Sequence, residues 1–126
     1  MEQLKKTAGI ISPVVWLIVI WTLSSIPAKK LSSVNILGTD KLLHIGQYLI
    51  LSLLVNHSLK LLNAKHGIVS WVYLILLVMA GLDEWHQCLI PERSVSVWDF
   101  IANGIGLGIG FGLYWIRYGK SQKPVS

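Results

Sequence analysis

Residues 7–28 read TAGIISPVVWLIVIWTLSSIPA and contain no charged side chain. At 1.5 Å per residue, a helix of this length crosses the roughly 30 Å of hydrocarbon in a bilayer. Lys5 and Lys6 precede the stretch, as basic residues do in a cleaved signal peptide. Cleavage requires small residues at positions −1 and −3, but a cut after Ala28 would place Ile26 at −3. We therefore expect a retained membrane-spanning helix.

Three further apolar blocks follow the first. The second runs from Leu42 to about Leu62, and the fourth from about Val97 to Tyr118. The third is almost purely apolar over 68–82 and continues to Ile90. Pro91 marks its end, because proline cannot continue a helix interior. The predicted fold is an all-α bundle of four transmembrane helices in a single domain, 1–126, with spans at approximately 8–27, 42–62, 68–90 and 97–118.

The composition agrees with a membrane protein. Of the 126 residues, 53% are hydrophobic and 13% are charged, whereas about 25% of the residues in a soluble domain are charged. The net charge of +5 comes from short basic groups between apolar blocks, not from one basic face, so we expect no nucleic-acid partner. Cys88 is the single cysteine, which excludes an intramolecular disulfide. No pattern indicates a cofactor.

The basic residues also predict the orientation. With four spans, both termini and the second connection lie on one side of the membrane. That side would hold seven of the eleven Lys and Arg residues, and the other side would hold Lys29, Lys30, Lys41 and Arg93. The positive-inside rule then places both termini in the cytoplasm.

Ionisable and polar residues gather at the opposite, outer ends of the predicted helices. Every acid except Glu2 falls there, namely Asp40, Asp83, Glu84, Glu92 and Asp99. Steps of three and four residues place the side chains of each helix on one stripe. The three stripes are Asp40, Lys41, His44, Tyr48 and Ser52; Asp83 and Gln87; and Asp99, Asn103, Gly106 and Gly110. Exposing a charged group to lipid costs several kcal/mol, so we expect the stripes to converge.

Simpler structural roles remain open for several of these residues. Asp40 could cap the second helix, and Ser96 with Asp99 fits a capping box at the start of the fourth. Asp83, Glu84 and Gln87 could lie in the headgroup zone, where polar groups cost little. An ionisable residue in or near a span is nevertheless a candidate functional residue.

Four residues in this region are types that can ligate a metal. His44, His86, Asp83 and Glu84 could in principle hold a metal, but no H-E-x-x-H or similar spacing is present, so we expect no metal site.

Small residues at four-residue spacing let helices approach closely in lipid. One such ladder, which could pack within the chain or form an oligomer, comprises Gly104, Gly108 and Gly112.

Five sequence blocks, in order, resemble the VanZ-like family. They are Ser24-Ser25-x-Pro27, Asp40-Lys41-x-x-His44-x-x-x-Tyr48, Asp83-Glu84-x-x-Gln87, Arg93-Ser94-x-Ser96-x-x-Asp99 and Asn103-x-x-Gly106-x-x-x-Gly110. The resemblance covers residues from about 24 to 112. It implies a bacterial, membrane-embedded protein of the cytoplasmic membrane, whose functional positions are Asp40, Lys41, His44, Tyr48, Asp83, Glu84, Gln87, Arg93, Asp99 and Asn103.

The name-giving member of that family is associated with low-level resistance to the glycopeptide teicoplanin. The resemblance therefore favours a non-enzymatic protein that binds a membrane lipid, or a lipid-linked cell-wall precursor, and alters glycopeptide sensitivity. Lys41 and Arg93 would contact phosphate through charge-assisted hydrogen bonds.

An intramembrane enzyme that acts on a phosphorylated or glycosylated lipid is the alternative hypothesis. Such an enzyme needs a base, a charge clamp and a water-restricted pocket. His44 near Asp83 or Glu84 could supply the base, and Lys41 with Arg93 the clamp. No nucleophile motif surrounds Ser94 or Ser96.

Arg93 is predicted to fold back with its loop and pair with Asp83 and Glu84, because lone buried charges are costly and the guanidinium can grip a carboxylate with two bonds. Arg93→Ala should then lower the melting temperature in detergent more than Glu92→Ala does. Adding Asp83→Asn or Glu84→Gln should recover part of the loss. Strict additivity in both double variants would mean that Arg93 contacts neither acid.

Overall fold

The computed structural model describes residues 1–25, 39–90 and 96–120, with the side chains of Thr39 and Asp40 excluded. It confirms the predicted all-α fold. The four helices are α1 (Glu2–Ser24), α2 (Thr39–Leu61), α3 (His66–Gln87) and α4 (Val97–Tyr118). Each is long and apolar enough to cross a membrane, so the chain is a multi-pass membrane protein. The described ranges contain no strand.

Several helix bounds differ from the expected spans; α2, for example, begins at Thr39 and not at residue 42. α1 begins at Glu2, ahead of the expected residue 8. α3 ends at Gln87, three residues before the end of the expected span of 68–90. The amides of Cys88, Leu89 and Ile90 each bond the carbonyl three residues back, which is the tighter turn with which many helices end.

Hydrogen bonds stabilise α1 around the internal proline, Pro13. Proline has no N–H, so the Gly9 carbonyl four residues earlier lacks its usual helical donor. The hydroxyls of Ser12 and Ser58 donate to that carbonyl over 2.9 and 2.7 Å. Since Ser58 belongs to α2, this bond also ties α1 to α2 at the end of the bundle that holds the start of α1.

A short turn joins α2 to α3. Asn63 adopts the left-handed conformation, with φ at 52°. The Ala64 amide bonds the Leu59 carbonyl and the Asn63 amide bonds the Lys60 carbonyl, at 3.0 and 3.1 Å. These are the two bonds of a Schellman motif, in which asparagine replaces the usual glycine. The turn therefore stops α2 and sends the chain back antiparallel as α3.

The helices form a ring in the order α1, α2, α4, α3. α2 packs against α4 over much of its length and against α1 on another side, whereas α1 touches α3 only sparsely. The starts of α2 and α4 therefore meet the ends of α1 and α3 at one end of the bundle. At the other end Lys60 of α2 lies over the Tyr118 ring of α4, and His66 of α3 contacts Trp115.

Gly106 and Gly110 create the close contact between α4 and α2. A Cβ at position 106 would lie 2.9 Å from the Leu49 amide nitrogen and 3.1 Å from the Tyr48 Cβ, and one at 110 would overlap Ser52. The absence of side chains lets the two backbones approach, as small residues do in membrane helix pairs.

The other glycine ladder faces away from the chain's own helices. A Cβ at Gly108 or Gly112 would meet no described atom within 4 Å, and one at Gly104 would only touch Leu77. Packing within the chain thus belongs to Gly106 and Gly110. An oligomer through the face of Gly104, Gly108 and Gly112 stays a prediction.

Gly106→Ala should destabilise the bundle by about 1–3 kcal/mol, because the added methyl group overpacks the α2–α4 contact. The matched control is Gly108→Ala on the same helix, which should be neutral or gain about 0.5–1 kcal/mol from better helix propensity. Melting temperatures in a mild detergent measure both. Equal shifts for the two variants would contradict the close approach at Gly106.

Candidate functional site

Polar side chains from α2, α3 and α4 converge at the end of the bundle where α2 and α4 begin. All of them except Lys41 are buried, although they lie within helices that are otherwise apolar. We call this group the polar cluster, and it consists of Lys41, His44, Tyr48, Asp83, Glu84, Gln87, Asp99 and Asn103.

An ion pair joins the starts of α2 and α4. Lys41 Nζ contacts Asp99 Oδ1, and the Lys41 side chain is 39% exposed while that of Asp99 is buried. Of the capping box considered for Ser96 and Asp99, Ser96 is the N-cap of α4, and its hydroxyl accepts from the Trp98 amide over 3.2 Å. The Asp99 carboxylate thus pairs with a cation from the neighbouring helix.

Asn103 bridges α2 and α3 from its place on α4. Its Oδ1 lies 2.8 Å from His44 Nδ1, and its Nδ2 donates to Glu84 Oε1 over 3.0 Å. Because an amide oxygen only accepts, Nδ1 of His44 carries the hydrogen in this arrangement. His44 Nδ1 also lies 3.7 Å from Glu84 Oε1. The three side chains form one hydrogen-bonded unit through the centre of the cluster.

Asp83 and Glu84 are adjacent in sequence, but their side chains form hydrogen bonds with different helices, as their separation of about 100° around α3 predicts. Tyr48 donates its hydroxyl to Asp83 Oδ2 over 3.2 Å. The second oxygen of each acid, Asp83 Oδ1 and Glu84 Oε2, is buried and has no hydrogen-bond partner among the described residues. Leaving such a group unpaired costs about 1–3 kcal/mol. Both oxygens can therefore accept a donor; the Ser24 hydroxyl also interacts with the Asp83 carboxyl group.

The end of α1 completes the cluster and was not among the predicted site residues. Gln87 donates to the Ser24 hydroxyl over 3.4 Å, and His86 Nε2 lies 2.9 Å from the Ser25 hydroxyl. His86 also stacks on Trp21, with ring centroids 4.2 Å apart. The adjacent serines at the end of an apolar span were the available signal, since a hydroxyl there needs a partner. We call the contacts of Trp21 and Ser25 with His86 the clasp.

The structure therefore brings together eight of the ten predicted site residues. The Asp40 side chain and all of Arg93 lie outside the described residues, so the pairing of Arg93 with Asp83 and Glu84 stays a prediction. Within the described ranges, no group of three or more His, Cys, Asp or Glu is arranged to hold a metal ion.

Comparison with protein families identifies the family of the chain. A family model described as VanZ/LLP1 matches residues 3–118, nearly the whole chain. Comparison with curated proteins gives no match, and neither does comparison with solved structures.

Lys41→Met should destabilise the protein by about 2 kcal/mol, because it leaves the buried Asp99 carboxylate without its ammonium partner. Lys5→Met, at an exposed position of α1, is the control and should change little. Adding Asp99→Asn should recover part of the loss, with a coupling of about 1 kcal/mol. Melting in detergent tests this, and additive losses would contradict a direct ion pair.

Proposed function

The chain belongs to the VanZ/LLP1 family, as its five sequence blocks predicted, and on that premise we propose that its polar cluster binds a cell-envelope lipid or a lipid-linked cell-wall precursor. Binding is non-enzymatic and modulates sensitivity to glycopeptides such as teicoplanin. The protein acts in the bacterial cytoplasmic membrane with both termini in the cytoplasm, so the polar cluster lies at the outer leaflet.

The unpaired carboxylate oxygens are the observation that supports this proposal most strongly. Asp83 Oδ1 and Glu84 Oε2 are buried at a helix end, and neither has a partner among the described residues. Oxygens of this kind accept from hydroxyl or ammonium groups, which are common in lipid head groups and sugars. A ligand that supplies such donors removes the cost of the unpaired oxygens and thereby gains affinity.

Lys41 adds the complementary charge. Its ammonium carries three N–H donors, and its side chain is the partly exposed member of the cluster. Phosphate oxygens form charge-assisted bonds with Lys, so a phosphate could lie at the rim while hydroxyl or amine groups reach the acids inside. The arrangement suits a head group that combines phosphate with hydrogen-bond donors.

The distribution of basic residues supports the orientation. The end of the bundle away from the polar cluster carries Lys60, Lys65 and Arg117 together with the start of α1, which carries Lys5 and Lys6. Such an excess belongs on the cytoplasmic side. In that orientation the cluster faces the leaflet from which lipid-linked precursors are used for the cell wall.

An enzyme is the second candidate, and one contact favours it. His44 is oriented by Asn103 and lies beside Glu84, as an oriented general base would. No described side chain is placed as a nucleophile next to this unit, so binding is the better-supported function.

Native mass spectrometry of protein extracted in mild detergent tests the proposal. We expect the wild-type chain to retain a phosphate-containing lipid. Glu84→Gln should reduce its occupancy about tenfold, because an amide nitrogen replaces one acceptor oxygen and a buried hydrogen bond to the ligand is lost. The matched control is Glu2→Gln, the same chemical change at an exposed position. In cells, Glu84→Gln should reduce the effect of the protein on teicoplanin sensitivity.

Wild-type protein that is free of lipid would contradict the proposal, as would equal occupancy in Glu84→Gln. Conversion of a bound lipid to a product by the wild type, absent in Glu84→Gln, would replace it with the enzymatic alternative.

A further inference from the structure

A cavity of about 350 Å³ lies between α1 and α3. This volume falls in the range of small-molecule sites, roughly 300–1,000 Å³. The cavity occurs where the ring of helices has its sparsest contact, since α1 packs mainly on α2 and α3 mainly on α4. The residues that line it are Val14, Leu17, Ile18, Ile20, Trp21, Thr22, Tyr48, Met79 and Asp83.

The wall of the cavity is apolar and reaches the surface of the bundle that faces lipid. Val14 and Ile18 are 56% and 61% exposed, although both also line the cavity. From Val14 to Thr22, α1 rises about 12 Å, from the middle of the helix almost to its end. Hydrocarbon therefore covers the open side of this groove, and a chain can enter it sideways from the bilayer.

Three polar residues, Thr22, Tyr48 and Asp83, line the end of the cavity nearest the polar cluster. Asp83 is 3% exposed and its Oδ1 has no partner among the described residues, while Oδ2 accepts from Tyr48. The cavity thus combines an apolar groove with a buried acceptor at one end. A purely apolar gap between helices would need no carboxylate, and burying one is costly.

We propose that this cavity is a side pocket for the hydrocarbon chain of a lipid alcohol, whose hydroxyl donates to Asp83 Oδ1. The inference deepens the proposed function, on which it rests, by naming the lipid class and the place of its chain. Ester carbonyl and phosphodiester oxygens only accept hydrogen bonds, so they cannot satisfy a carboxylate oxygen. A free hydroxyl next to an acyl chain supplies the donor, and the chain then runs along α1 toward Val14.

The clasp favours lateral entry. His86 stacks on Trp21, which itself lines the cavity, and contacts Ser25, so α1 and α3 are held together at the end of the cavity that contains Asp83. Elsewhere the two helices touch only sparsely, and the groove lies between them. A chain therefore reaches Asp83 from the bilayer and not along the helix axis from the aqueous side.

The experiment compares 1,2-dioleoylglycerol, which has one free hydroxyl, with its 3-O-methyl ether, which lacks only that donor. Each is added to delipidated full-length protein in mild detergent, and occupancy is read by native mass spectrometry. We expect the alcohol to bind at least tenfold more tightly than the ether, because only the alcohol can donate a hydrogen bond to the buried acceptor. In Asp83→Asn the preference for the alcohol should fall to within about threefold.

A second variant tests the groove without changing the acid. Val14→Trp should fill the groove and reduce binding of the alcohol about tenfold, because the chain loses its apolar contacts. Ile11→Trp is the matched control on the same helix, at a similarly exposed position that does not line the cavity, and should bind as the wild type does.

The outcomes separate this inference from the proposed function. The side-pocket inference is wrong if the alcohol and the ether bind equally, or if Val14→Trp does not change binding of the alcohol. If the occupancy of native lipid nevertheless falls in Glu84→Gln, the proposed function stands without the side pocket. If the alcohol preference and its loss in Asp83→Asn and Val14→Trp are observed, the pocket and its ligand class are supported.

Discussion

Hydrocarbon offers no hydrogen-bond partners, so each polar group inside this bundle must find a partner on the protein or remain unsatisfied at a cost. That constraint explains contacts far from the polar cluster. Ser58 bonds the Gly9 carbonyl that Pro13 leaves without a donor. Asn56 donates to the Gly110 carbonyl over 2.8 Å, and Tyr73 donates to Asn56. These bonds join α1, α3 and α4 to α2, which makes α2 the helix through which the bundle is held together.

Close approach of α2 and α4 gives the polar cluster its geometry. Without Cβ atoms at Gly106 and Gly110, the two backbones come near enough for short side chains to bridge them. Asn103 lies one turn toward the start of α4 from Gly106 and therefore reaches both His44 and Glu84. The glycines contribute no chemistry of their own, but they set the distance across which Asn103 must act.

The same constraint makes the exceptions informative. Most of the buried polar side chains at this end of the bundle are paired, whereas Asp83 and Glu84 each keep one oxygen without a partner among the described residues. Asp83 also lines the cavity between α1 and α3, whose contact is the sparsest between neighbours in the ring of described helices. An incompletely satisfied acid beside an incompletely packed groove is an arrangement that a ligand can complete. Packing alone gives no reason for it.

The sequence by itself determined the four helices and the end at which the site lies. Apolar blocks bounded by charges predict the spans, because length and hydropathy decide what can cross a bilayer. Steps of three and four residues placed Lys41, His44 and Tyr48 on one stripe, since helix geometry alone sets that face. The small errors, such as the end of α3 at Gln87, concern terminal turns, where competing hydrogen bonds differ little in energy.

The tertiary structure alone decided which stripes pair with each other. Both glycine ladders of α4 have the same spacing, and only the packed bundle shows that Gly106 and Gly110 face α2 while Gly108 faces away. For Asp99 the sequence left open a capping role or a place in the cluster, and only the packed bundle shows its ion pair with Lys41. The cavity and the role of Ser24 and Ser25 could not be predicted either. Each depends on the rotation and spacing of neighbouring helices, which arise from contacts between residues distant in sequence and leave no local pattern.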